Sequence, residues 1–135
     1  MKFIFTLLFL ISFAQSTVNI TSDTSSIKDF KLDYFIDNTK KLTFEEVKSQ
    51  KFTQGINKDS LGANIKNSWI RIKLLNKTDK PQTLYLHQEI AYLFSKINHF
   101  EVDENGVLLN KQEKNLLDSS QNMLDGSDAI FKFTL

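Results

Sequence analysis

The stretch "NSWIRIKLLNKTDKPQTLYLH", Asn67 to His87, holds the only tryptophan (Trp69), the only arginine (Arg71) and the only proline (Pro81) of the chain. Ile70, Ile72 and Leu74 alternate with Trp69, Arg71 and Lys73, and Leu84 and Leu86 alternate with Thr83, Tyr85 and His87. Such period-two alternation marks half-buried strands, because successive side chains point to opposite faces of a sheet. The polar segment Asn76 to Pro81 separates the two runs, and its proline breaks pairing. An antiparallel hairpin with Leu75 opposite Pro81 sets Arg71 against Tyr85 and Trp69 against His87, and turns Ile70, Ile72, Leu84 and Leu86 toward a core. Trp69, Arg71, Tyr85 and His87 thus form the candidate ligand-binding set, provided that nothing packs over their face.

Outward from this stretch the signals remain those of strands and turns. Phe30 to Ile36 alternates with Phe30, Leu32, Tyr34 and Ile36 on one face, and Asp37 to Lys40 supplies turn chemistry. Thr43 followed three residues later by Glu46 is a capping box that opens a short helix ending near Ser49. Lys96 to Val102 and Val107 to Lys111 flank Asn105-Gly106, a strong hairpin signal. Gln112 to Asp128 reads as a long polar loop with one helical turn and Leu116, Leu117 and Leu124 as anchors. Ala129 to Leu135 reads as a last strand. About six or seven short strands with polar turns predict an all-β sandwich of antiparallel strands with one short helix.

The chain opens MKFIFTLLFLISFAQS, with one lysine, an apolar run of about a dozen residues and then small or polar groups. That layout predicts a secretory signal peptide over 1–16, since the run falls short of the about 20 residues needed to span a bilayer. A flexible polar leader is expected over 17–28 and one domain over 29–135. Lys2 is the only charge in the signal segment, so 16 basic groups remain against 16 acidic ones and the exported chain is neutral. Balanced charge gives no reason to expect nucleic acid or an anionic membrane surface as partner. The absence of cysteine excludes thiol catalysis and leaves an exported fold to hold by packing alone, with the 12 phenylalanines, four of them in the signal segment, as its main material.

The order of features from Phe30 to Leu135 resembles a family. Tyr34 to Asp37 (YFID), Leu42 to Val47 (LTFEEV), Ser68 to Asn76 (SWIRIKLLN) and the strand near Leu93 to Phe100 (LFSKINHF) are similar to the second type of extracellular domain of bacterial seven-transmembrane receptors with diverse intracellular signalling modules. The resemblance implies a jelly-roll sandwich similar to carbohydrate-binding modules. It further implies a periplasmic position, where ligand occupancy passes to a membrane signalling core. Relatives continue past the strand that here ends at Leu135, so a truncated receptor or a stand-alone reading frame is expected. They also place an arginine and a proline ahead of that strand, and Met123 to Asp128 contain neither.

Beside this stands what the residues say by themselves. Trp69 and Tyr85 offer aromatic faces on which a sugar ring stacks, and Arg71 offers a fixed fork for hydroxyls or a carboxylate. The competing reading buries Trp69 under the leader or the Thr43 helix and makes Arg71 its neighbour. His87 and His99 lack metal-ligand spacing, and His99, sharing a face with Ile97, reads as a hydrogen-bonded core histidine. Asp33, Asp37, Asp103 and Glu104 sit near strand ends, where they read as solvated turn carboxylates with calcium as the only cation to consider. No Ser/His/Asp order, glycine-rich phosphate loop or metal motif supports an enzyme. The expectation is a non-catalytic periplasmic sensor domain binding a small molecule, either carbohydrate-like or bearing a carboxylate. The alternative is a structural or protein-interaction sandwich without such a ligand.

Overall fold

A computed structural model describes residues 17–24, 26–61, 67–89, 95–115 and 128–135. The expected signal segment 1–16 and the loop anchors Leu116, Leu117 and Leu124 lie outside these residues. Among the described residues nine strands and one short helix follow in order: β1 (Thr17–Ile20), β2 (Lys31–Ile36), α1 (Phe44–Lys48), β3 (Thr53–Ile56), β4 (Ser68–Arg71), β5 (Lys73–Asn76), β6 (Thr83–Gln88), β7 (Lys96–Val102), β8 (Leu108–Asn115) and β9 (Ala129–Thr134). The class is all-β, as the alternation predicts. Three of the four ladders are purely antiparallel: β3-β2-β4, β6-β9 and β7-β8. The fourth, β1-β5, is parallel and departs from the antiparallel expectation.

The hairpin expected between Asn67 and His87 does not form. The run from Ser68 to Asn76 is broken at Ile72: β4 pairs with β2, with Phe35 opposite Trp69 and Asp33 opposite Arg71, whereas β5 pairs with β1. β6 pairs with β9 instead, so Tyr85 lies opposite Lys132 and His87 opposite Ile130. Alternation assigns faces but not partners, and here the partners are distant in sequence. The intervening loop closes on itself rather than into a hairpin turn: Asn76 Oδ1 accepts from the Thr78 amide and hydroxyl, and its Nδ2 donates to Lys80 O and Leu135 O.

The faces are corrected with the partners. Leu84 and Leu86 are half-buried as expected, and Leu86 packs on the core pair Ala129 and Phe131 together with Ile97. Ile70, expected in the core, is 50% exposed, while its neighbour Trp69 turns inward onto Phe100. The leader is corrected too. Thr17–Ile20 is a strand whose Ile20 is only 3% exposed, because its parallel ladder to Lys73–Asn76 presses that side chain into the fold.

Local chemistry read from the sequence is present in detail. The Thr43 hydroxyl accepts from the Glu46 amide while the Glu46 carboxylate accepts from the Thr43 amide at 2.8 Å, so the capping box closes and α1 buries Val47. The β7-β8 hairpin turns through Asp103 to Gly106, where Gly106 adopts φ +77°, a conformation that costs glycine least, and a bulge at Glu101/Val102 precedes the turn. Between β2 and α1 the carboxylate of Asp37, 1% exposed, accepts from the Thr39 hydroxyl (2.6 Å) and from the amides of Thr39, Lys40 and Leu42. These bonds hold a turn in which Lys40 takes φ +60°, an unfavourable value for a residue with a side chain.

The Thr39 hydroxyl first, and then the three amides, hold the Asp37 carboxyl below its ordinary value of 3.8 against the opposing effect of burial. A depressed carboxyl stabilises the fold at pH above its unfolded value and loses that contribution as pH falls through the folded one. Asp37→Asn is therefore expected to lower the thermal midpoint at neutral pH. The gap to the wild type should close as the pH falls below 3.8. A gap that persists unchanged into acid would show that the charge of Asp37 contributes nothing.

Candidate functional site

The four candidate residues divide into two pairs on two different ladders. Trp69 is half-buried and turned toward the fold: its ring stacks on Phe100 of β7 at 5.8 Å, and Phe100 in turn stacks on Phe44 of α1 at 4.5 Å, nearly parallel. Among the described residues its indole N–H is buried without an acceptor. Helix α1, which the capping box creates, is thus part of the cover over this face. Arg71 is held from two sides. Its Nε and Nη2 donate to one oxygen of the buried Asp33 at 3.3 and 2.9 Å, and its guanidinium lies 4.2 Å above the ring of Phe52. Since Asp33 and Arg71 are ladder partners, this pair locks β4 to β2 and neutralises the only guanidinium of the chain. A guanidinium so fixed keeps little freedom to follow a ligand.

Tyr85 and His87 lie on the outward face of β6. Tyr85 is 63% exposed, the one aromatic among the exposed large apolar side chains of the described residues. The His87 Nε2 meets the Asp128 carboxylate at 2.8 Å, a half-exposed pair that ties the start of β9 to β6. Lys132 stands opposite Tyr85 and Thr134 opposite Thr83, so the same face carries a phenol ring, an ammonium, an imidazole and a carboxylate. Sequence reasoning misses Lys132 and Asp128 because it leaves the last strand without a partner. The alternation of AIFKFT already turns Lys132 away from Phe131 and Phe133.

Three of the four carboxylates considered for calcium are engaged elsewhere. Asp33 bonds Arg71, Asp37 caps its turn, and Asp103 accepts from the amides of Asn105 and Val107. Among the described residues no three His, Cys, Asp or Glu side chains come together in a way that would hold a metal ion. His99 sits between ladders, its ring 5.1 Å from Phe131 and 5.5 Å from Phe133, and its Nδ1 faces the Gln112 amide at 3.5 Å and Glu101 at 3.8 Å. Burial holds its pKa below the ordinary 6.5, and the Glu101 carboxylate only partly opposes this.

A histidine depressed in the folded state stabilises above its unfolded value, and that contribution is lost as pH falls. The wild type is expected to lose stability on acidification from 6.5 downward, and His99→Gln to lose this component of the slope. A His99 titration midpoint at or above 6.5, read from its imidazole carbon proton by NMR, would contradict the assignment.

With the geometry in place, comparison with known proteins adds one match. The chain matches the family described as 7TMR-DISM extracellular 2 over residues 30–135, from the residue before β2 to the last residue of the sequence. Neither a curated protein nor a solved structure gives a match. Among the described residues no helix is long and apolar enough to cross a membrane. The chain belongs to the 7TMR-DISM extracellular 2 family, the second type of extracellular domain of these membrane receptors.

Proposed function

We propose that this domain is the ligand-sensing part of a bacterial membrane receptor, placed outside the inner membrane and built as a jelly-roll-like sandwich similar to carbohydrate-binding modules. Its ligand is a carbohydrate-like or carboxylate-bearing small molecule, and the chemistry of the domain is binding rather than catalysis. The observation that carries this reading is the open ring of Tyr85 on the β6-β9 face, beside Lys132 and the His87–Asp128 pair. A sugar ring stacks its C–H face on an exposed phenol, while the ammonium and imidazole bond hydroxyls or a carboxylate. Trp69 then serves as packing, and the half-exposed Arg71 as a ladder lock.

One observation favours the second reading, a protein-interaction module. Val102, Val107, Leu108 and Leu109 are 43 to 66% exposed around the β7-β8 turn, an aliphatic tip of the kind that partners cover. Titration followed by amide NMR separates the two. With a panel of neutral glycans and small dicarboxylates, shifts are expected at Tyr85, His87 and Lys132, weakened about tenfold by Tyr85→Ala. Trp69 emission should stay unchanged because its ring lies under Phe100. Binding indifferent to Tyr85→Ala, or no binding across the panel, would reject the β6-β9 face as the ligand site.

A further inference from the structure

Away from the β6-β9 face, two adjoining grooves of about 360 and 280 Å³ share Asp29, Phe30 and Lys31. The first opens along β1 and has Val18 and Ile27 as walls, and the second continues past Phe30 to Ile56. Their common floor is fixed. The Phe30 amide donates to Asn57 Oδ1 at 3.0 Å, and the Asn57 amide donates back to Phe30 O at 3.1 Å. The aliphatic wall is open to solvent, with Ile56 45% exposed.

The charges at this groove are unequal. Asp29 is neutralised by a salt bridge to Lys58. Lys31, on the same rim, has no carboxylate partner among the described residues and is exposed. Among the described side chains, the uncompensated charge beside the apolar wall is therefore a single ammonium. A cationic or uncharged guest leaves that ammonium unused, whereas an anion with an apolar tail satisfies both parts of the surface.

We propose that this groove binds a small amphiphilic carboxylate, its chain along Val18, Ile27, Phe30 and Ile56 and its head group on the Lys31 ammonium. The site is separate from the β6-β9 face and does not depend on it. Its occupant is neither a sugar nor a polar dicarboxylate, so each of the two sites can fail without the other.

The test is a titration of the protein with decanoate, followed by amide NMR. Shifts are expected at Val18, Ile27, Phe30, Lys31 and Ile56, with octanoate about fivefold weaker for two fewer methylenes in an open groove. Lys31→Met is expected to weaken decanoate about fivefold and to leave decanol unaffected, with Lys31→Arg retaining binding. Three outcomes would overturn the proposal: shifts confined to other residues, equal binding of decanoate and decyltrimethylammonium, or decanoate affinity unchanged in Lys31→Met. Shifts at these residues that grow with protein concentration in the absence of decanoate would overturn it as well, by assigning the groove to a second copy of the chain.

Discussion

The stack of Phe44, Phe100 and Trp69 is the contact on which the arrangement of the ladders depends. Phe100 belongs to β7, and its preceding neighbour His99 points to the opposite face, as alternation requires. One face of β7 therefore grips α1 and β4 through Phe100. The other grips β9 through His99 on Phe131 and Phe133, and through Ile97 on the Ala129–Phe131 pair. A single strand thus carries aromatic contacts to both the β3-β2-β4 ladder and the β6-β9 ladder. With no cysteine in the chain, no covalent staple shares that task.

Cations complete this aromatic layer. The ammonium of Lys48 lies 5.2 Å from the Phe44 ring centre, Lys111 5.5 Å from Phe100 and Lys114 5.3 Å from Phe131, while Arg71 lies over Phe52. Each long stem covers ring surface while its charge reaches water. At exposed sites each such contact contributes on the order of 0.5–1 kcal/mol. Their greater effect is to keep half-buried rings dry where, among the described residues, fully buried apolar side chains are few. That division also separates the two aromatics: Trp69 is half-buried against Phe100, and Tyr85 is left in solvent.

What the sequence makes legible is local. The Thr43–Glu46 box, the Asn105-Gly106 turn and the bounds of β7 all follow from chemistry within a few residues, and all are present. Pairing is not local, and there the reading fails: β5 finds its partner in Thr17–Ile20, and β6 finds its own in Ala129–Thr134. β1 is too short and polar to announce itself as TVNI, and β3, TQGI, has a glycine in place of an alternating apolar residue. For the candidate site, alternation correctly separates Tyr85 and His87 from Leu84 and Leu86. It could not show that Phe100, 31 residues beyond Trp69, would lie on the indole ring. The motifs YFID, LTFEEV and SWIRIKLLN carry structural duties in this fold: the Asp37 turn, the capped helix and the Asp33–Arg71 lock.

The account stands or falls on Phe100 as the joint between ladders. The most direct measurement is denaturant unfolding of Phe100→Ala, followed together by Trp69 emission and by amide exchange in β4 and β9. Removing the ring should cost about 3 kcal/mol, at the lower end for phenylalanine because Phe100 is only half-buried. It should also shift Trp69 emission to the red in the folded state and speed amide exchange in β9 along with β4. A variant that unfolds within about 0.5 kcal/mol of the wild type, with Trp69 emission unmoved, would contradict the account.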